Sequence, residues 1–307
     1  MKKAIILIFF IICCNIVYCQ NVGIGTTAPK VKLHVLNGVQ TVAPNIGSTM
    51  AIQSDGETFL QILSNGVSDQ NGIYFGHTTQ PISAGITFNF SGDRDLAFFT
   101  NASAPSLLLN NQGKLGIGTL SPIARLHVAD SNVVFTGPAT LPVSTTYDPP
   151  IQGTGTRMMW YPQKAAFRVG HVDGDRWNKS NIGDYSMALG YNNQAIGYSS
   201  IAMGNFTNAS GFGSTAMGSS TNAGGSSSTA IGIFTSAIGN SSTAIGSSTT
   251  ARSFSEIAIG SFNTDYAPLS YTEWNADDRL FIIGNGANGT KSDAMVILKK
   301  WQYGHWH

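Results

Sequence analysis

Two histidines at equivalent positions of a repeated segment are the first residues to consider for chemistry. His34 and His127 each stand in the sequence Leu-His-Val. A threefold axis could bring three copies of either histidine together around a metal or an anion. Because both lie in strand-like segments that repeat, we favour a packing or hydrogen-bonding role for them.

The glycine and aspartate motifs do not predict a cofactor site. Residues 23–25 read Gly-Ile-Gly, without the third glycine, the helix and the downstream acid of a dinucleotide fingerprint. Residues 173–175 read Asp-Gly-Asp, without the central glycine and closing glutamate of a calcium loop. The acidic and basic residues of 93–95 and 277–279 are expected in turns and surface ion pairs. We therefore predict no cofactor and no metal.

Composition argues against catalysis and against nucleic acid as a partner. All three cysteines lie within residues 1–19, and residues 186–251 contain no Asp, Glu, Lys or Arg. A glycosidase would need a pair of carboxylates, which could only lie outside that stretch. The formal net charge of +1 offers no basic surface for nucleic acid. We predict that the protein is not an enzyme.

The first nineteen residues have the pattern of a secretory signal peptide. Lys2 and Lys3 precede an apolar run over residues 4–12, and cleavage after Cys19 would leave Gln20 first. A membrane anchor and a lipoprotein at Cys19 are the alternatives. We predict an exported chain, at the cell surface, the outer membrane or outside the cell. No later stretch of the mature chain is long enough to predict a membrane span.

Part of the chain repeats with a fixed period of fourteen residues, and the structure built from this repeat must position any functional surface there. The repeat places Ala, then Leu, Met or Ile, then Gly at the same phase six times, and a second alanine half a period later. The repeating triplets are Ala188, Leu189, Gly190; Ala202, Met203, Gly204; Ala216, Met217, Gly218; Ala230, Ile231, Gly232; Ala244, Ile245, Gly246; and Ala258, Ile259, Gly260. Such self-similarity predicts a stack of coils.

Strand geometry divides these residues between two faces. Residues two apart share a face, so Ala230 and Gly232 point one way and Ile231 the other. Small residues would let the two sheets of a thin coil approach closely. The opposite face then carries a column of six Leu, Met and Ile side chains that one coil cannot bury. Copies of the same chain are the simplest partner for that column.

The pattern Ser-x-Ala-[Ile/Met/Leu]-Gly-x-x-x-x-Ala-x-Gly resembles the head repeat of YadA-like trimeric autotransporter adhesins. Residues 186–190 and 228–232 are two instances, and the resemblance covers residues 184–263. It implies an all-β fold, a left-handed parallel β-roll of 14-residue coils in which three chains associate. It also implies binding to host matrix or to other cells.

A second repeat lies outside the coils. Residues 22–35 and 115–128 share eight of fourteen positions, in the pattern Gly-Ile-Gly-Thr…Pro…Leu-His-Val. This element resembles segments of surface and tail-fibre-like proteins of Bacteroidetes-type bacteria. It implies small β-rich fibre modules along an axis, and the alternating residues of 49–114 predict short strands.

These patterns divide the chain into eight segments. We predict a signal peptide (1–19), a first Gly-Ile-Gly-Thr element (20–48), a β-rich fibre module (49–114), a second such element (115–128), a proline- and aromatic-rich connector (129–183), the β-roll (184–263), a β-rich capping segment (264–298) and an aberrant tail (299–307).

The tail invites a hypothesis about the gene. Residues 299–307 read Lys-Lys-Trp-Gln-Tyr-Gly-His-Trp-His. With permitted codons, deletion of one base from a run of adenines turns this into Lys-Asn-Gly-Asn-Met-Gly-Ile-Gly, the start of a third Gly-Ile-Gly element. The sequence also lacks the heptads and terminal ten-residue strands of an autotransporter anchor. We expect a truncated chain whose anchor lay downstream.

Together these features predict an exported, trimeric surface fibre whose head mediates adhesion. The expected partners are copies of the chain itself and a surface protein or glycan whose identity the sequence does not specify. The alternative is a structural spacer or tail-fibre-like protein without a ligand of its own.

Overall fold

The computed structural model describes residues 21–39, 42–45, 47–64, 66, 69–89, 93–100, 105–142 and 147–300. The predicted signal peptide and most of the aberrant tail lie outside these residues. The chain divides into two compact units, Met1–Val133 and Val134–His307. Regular structure in the described residues consists of strands and two short 3-10 helices, Pro162–Lys164 and Lys179–Asn181.

The first unit contains two sheets built around the two Gly-Ile-Gly elements. A parallel sheet consists of β1 (Val22–Ile24), β2 (Leu33–Asn37) and β3 (Met50–Ser54). A second sheet has the order β4 (Asn71–His77), β5 (Gln80–Phe88), β6 (Leu96–Thr100), β7 (Pro105–Leu109), β8 (Leu115–Ile117) and β9 (Leu126–Val128). Its strands run antiparallel except for the last pair, β8 and β9.

The second unit contains the coils. Its ten-stranded sheet is β10 (Gly155–Tyr161), β11 (Ala166–Val172), β12 (Met187–Tyr191), β14 (Ile201–Asn205), β16 (Thr215–Ser219), β18 (Thr229–Ile233), β20 (Thr243–Ser247), β22 (Ile257–Ser261), β23 (Arg279–Asn285) and β24 (Asp293–Leu298). Facing it are two-residue strands, β13 (Gln194–Ala195), β15 (Asn208–Ala209), β17 (Asn222–Ala223), β19 (Ser236–Ala237) and β21 (Thr250–Ala251). The prediction of an all-β fold with a parallel β-roll of 14-residue coils is confirmed.

The register of the roll follows the sequence period. In the ten-stranded sheet, the strands from β12 to β20 each pair in parallel with the strand fourteen residues on, so Ala202 is the partner of Ala216, and Gly204 that of Gly218. The repeat alanines of both sheets are fully buried, from Ala188 to Ala258. An interior lined by methyl groups leaves the two strands of a coil close together.

The glycines are required for a reason that the two-face argument did not anticipate. Gly190, Gly204, Gly218, Gly232 and Gly246 have φ between +114° and +130°. A Cβ atom on any of them would lie 1.9–2.2 Å from the carbonyl oxygen of the glycine in the next coil. The missing side chain would therefore point along the stack and not into the core. L-residues rarely adopt this conformation, so each coil needs glycine here.

Antiparallel hairpins extend both ends of the ten-stranded sheet. At one end β10 and β11 form a hairpin that pairs with β12, and at the other β23 and β24 follow β22. Within the first hairpin region Trp177 is fully buried against the alanine core and donates its indole N–H to the carbonyl oxygen of Asn193 at 2.8 Å. Residues 155–172, which the sequence placed in a connector, thus form strands of the same sheet as the coils.

Candidate interaction surface

The outer face of the ten-stranded sheet carries a continuous apolar column. Cross-strand partners along it are Met158, Val169, Leu189, Met203, Met217, Ile231, Ile245, Ile259, Ile283 and Met295. We call these ten residues the central column. None of them is buried, and Met158 is 72% exposed. At about 4.8 Å between strands, the column runs for about 43 Å.

Sequence reasoning found six of these residues and missed four. Met158, Val169, Ile283 and Met295 come from the hairpins, which lie outside the fourteen-residue period. Alternation within each hairpin strand is the signal that could have found them, since Met158 and Trp160 are two residues apart on one strand.

A second column beside the first is apolar at both ends and carries threonines in the middle. Its members are Trp160, Phe167, Met187, Ile201, Thr215, Thr229, Thr243, Ile257, Phe281 and Ile297. We call these residues the flanking column. Because neither column contains a charged side chain, burying the two columns themselves would desolvate no ion.

The opposite, two-residue sheet presents a polar surface. Its outward positions are Gln194, Asn208, Asn222, Ser236 and Thr250, which are partners across the strands. Asn208 Nδ2 donates to Asn222 Oδ1 at 2.8 Å. This polar column offers neutral hydrogen-bonding groups at the spacing of the coils.

Polar residues cluster at one edge of the sheet, near its first strands. Asp173 Oδ1 lies 2.9 Å from His171 Nε2, and Asp173 Oδ2 accepts hydrogen bonds from Asn192 Nδ2 at 2.9 Å and from the Tyr191 hydroxyl. Hydrogen bonds from Tyr191, Asn192 and His171 lower the pKa of Asp173. The bond to Asp173 raises the pKa of Tyr191, which keeps its phenol protonated.

This cluster does not supply the calcium loop that residues 173–175 might suggest. Both carboxylate oxygens of Asp173 are engaged by protein groups. The chain from Thr156 Oγ1 to His171 Nδ1 (2.7 Å) and on to Asp173 has the residue types of a hydrolase triad, but the carboxylate bonds to Nε2 and the histidine is about one-third exposed. Its hydrogen bonds instead connect the hairpin of β10 and β11 to the first coil.

The other candidate residues lie apart from one another. His34 is fully buried in the three-stranded sheet, and His127 lies on β9. Gly25 and Gly118 take positive φ values of +76° and +74° directly after β1 and β8, which places both Gly-Ile-Gly segments at turns. In the part of the chain that the structure describes, no group of three or more His, Cys, Asp or Glu side chains is arranged to hold a metal ion.

Comparison with known families bears directly on the coils. Residues 182–207 and 209–235 each match the family model of the YadA head domain repeat. The chain therefore contains YadA head repeats, as the resemblance of residues 184–263 implied, and the repeat is that of an adhesin family. No curated protein matches the chain. No helix among the described residues is both long and apolar enough to cross a bilayer.

Proposed function

We propose that this protein is an exported, trimeric surface fibre whose head mediates adhesion to cells or to matrix, without enzymatic activity. The observation that carries the proposal is the central column. Soluble monomers rarely expose continuous apolar patches of more than a few hundred Å², and larger patches mark interaction sites. Here a long apolar face lies on repeats that match an adhesin family.

Self-association is the simplest use of this face. Three identical chains around one axis would each turn the central and flanking columns inward. The middle of the interface would be free of charge, because residues 186–251 contain no Asp, Glu, Lys or Arg. Obligate oligomer interfaces are similarly apolar.

The ligand would then meet the polar column on the opposite sheet. Gln194, Asn208 and Asn222 supply amides that can both donate and accept hydrogen bonds. A glycan or an extended polypeptide presents groups of the same kind. Equivalent sites on successive coils, multiplied by three chains, would convert weak individual contacts into high avidity.

The first test measures mass by light scattering. By the family resemblance, we expect a particle mass equal to that of three chains. The double substitution Met217→Lys and Ile231→Lys should reduce the mass to that of one chain, because lysines would be buried without partners. The matched control, Asn222→Lys with Ser236→Lys on the polar column, should leave three chains. A wild-type monomer would overturn the trimer.

The second test addresses adhesion and export. The purified assembly is applied to immobilised matrix proteins and glycans, and the polar-column variant serves as the comparison. Binding that this variant weakens would support the adhesin role. A stable trimer that binds none of the panel would favour a structural spacer. Mature protein in the outer-membrane or extracellular fraction, beginning at Gln20, would support export.

A further inference from the structure

The two Gly-Ile-Gly elements fold into the same local structure. In the first, Gly23 of β1 is the register partner of His34 on β2; in the second, Gly116 of β8 is the partner of His127 on β9. Both pairs are parallel and are joined by eight residues, 25–32 and 118–125. The first copy can therefore serve as a template for the second.

The two copies differ in what covers the histidine-bearing strand. Strand β2 is followed by β3, which pairs with it in parallel from Leu33 and Met50 onward. The N–H of Leu33 donates to the carbonyl oxygen of Thr49 at 3.0 Å. Strand β9 is the last strand of its sheet in the described part of the chain. The edge that β3 occupies in the first copy is thus open in the second.

The side chains of β2 and β9 also differ in how far they are covered. His34 is fully buried, and its Nε2 lies 3.3 Å from Gln53 Oε1 of β3. The Nδ1 atom of His34 accepts the backbone N–H of Lys30 at 3.4 Å, within its own connecting segment. The lack of a partner for His127 Nδ1 among the described residues is therefore a separate difference that does not involve β3. Leu126 is 60% exposed, whereas the equivalent Leu33 is half-buried. An open strand edge and an exposed leucine thus both lie on β9 in the described part of the chain.

The chain itself contains a segment suited to this edge. Val133, Val134 and Phe135 are 55%, 81% and 72% exposed and belong to no strand. β-Branched and aromatic residues in succession favour strand formation. Only residues 129–132 separate them from β9, half the length of the eight-residue connections that join the parallel strands of each element. So short a connection does not allow a parallel return within one chain.

We propose that the outer edge of β9 binds residues 133–135 of a second copy of this chain as an added parallel strand. The added strand would take the position that β3 occupies on β2. It would pair the open backbone groups of β9 and cover Leu126. The inference rests on the self-association proposed above, and it names a contact outside the coils.

Engineered disulfides test the contact, using the full chain with Cys13, Cys14 and Cys19 replaced by serine. One chain carries Leu126→Cys, and a co-expressed chain with a different tag carries Val133→Cys, Val134→Cys or Phe135→Cys in turn. Adjacent strands place Cα atoms within the range that a disulfide spans. Leu33→Cys is the matched control acceptor, because β3 already covers that strand.

We expect at least one donor position to cross-link to Leu126→Cys about tenfold more than to Leu33→Cys, because assembly raises the local concentration of the paired strands. The mass of each sample, measured beside the cross-linking, separates the two proposals. A trimer without preferential cross-linking at position 126 would overturn the strand exchange and leave the proposed function standing. A monomer would overturn both. Closure within one chain that carries both cysteines would assign the edge to its own connector and overturn the exchange.

Discussion

Arg168 and Ala188 are register partners on β11 and β12, so a guanidinium group directly precedes a column that continues as alanine to Ala258. Arg168 is fully buried, and no carboxylate among the described residues pairs with it. Its guanidinium donates to the carbonyl oxygens of Phe167 (2.9 Å), Ser186 (2.9 Å) and Ala195 (3.1 Å) and to the Ser186 hydroxyl (2.8 Å). Burial lowers the pKa of Arg168 to about 10, which leaves the group charged at neutral pH. The arginine therefore closes the open end of the roll by binding carbonyl groups.

Replacing Arg168 by alanine should destabilise the roll by about 3 kcal/mol, because it removes four hydrogen bonds to buried or part-buried acceptors and opens a cavity. The midpoint of urea unfolding measures the effect. Arg176→Ala is the control, since Arg176 makes one long hydrogen bond, to Gln194 at 3.5 Å, and lies over the Phe206 ring at 5.9 Å in the described part of the chain. Equal midpoints for the two variants would show that the hydrogen bonds of Arg168 add nothing to the stability of the roll.

Replacing glycine by alanine should destabilise the roll at some positions of the coil and not at others. At Gly218, φ is +124° and an added Cβ would lie 2.0 Å from the carbonyl oxygen of Gly232. We expect Gly218→Ala to cost on the order of 3 kcal/mol. At Gly224, six residues on, the nearest atom to an added Cβ is Asn222 Nδ2 at 3.5 Å. Gly224→Ala should change unfolding by less than about 0.5 kcal/mol. Similar losses at both sites would contradict the close approach of successive coils.

How far the sequence predicts this structure depends on where the period holds. Ala216 and Met217 repeat with their partners fourteen residues away, so periodicity alone predicts coils, register and face. The hairpins have no such repeat. That Met158 lies beside Val169, or Arg168 beside Ala188, depends on tertiary pairing of unlike segments. Charged residues are usually exposed, so the sequence would not predict that Arg168 is buried. The carbonyl groups that bind its guanidinium come together only when the roll has folded.

Two serines at equivalent positions of different coils should differ in how much their hydroxyl groups contribute to stability. Ser200 Oγ donates to the carbonyl oxygen of Gly197 at 2.7 Å, whereas Ser228 Oγ is buried without a hydrogen-bond partner among the described residues. Removing a satisfied hydroxyl costs about 1 kcal/mol, and removing an unsatisfied one is neutral or stabilising. We expect Ser200→Ala to lower the urea midpoint and Ser228→Ala to leave it unchanged or raise it. The reverse order would show that the hydroxyl of Ser228 has found a partner, such as water.

Stability should depend on pH through Asp173. Hydrogen bonds from Tyr191, Asn192 and His171 lower its pKa in the folded protein below the ordinary value of about 3.9. A carboxylate with a lowered folded pKa stabilises the fold above its unfolded pKa, and this contribution is lost as pH falls through the folded pKa. Asp173→Asn should therefore unfold at a lower temperature than the wild type near neutral pH, with the gap closing well below pH 3.9. Thermal unfolding followed by circular dichroism between pH 7 and 2 measures the gap.

Asp175→Asn is the control, since it removes a carboxylate two residues away and leaves Tyr191 and Asn192 bound to Asp173. A gap that stays constant with pH would mean that the charge of Asp173 does not stabilise the join between the hairpin and the first coil.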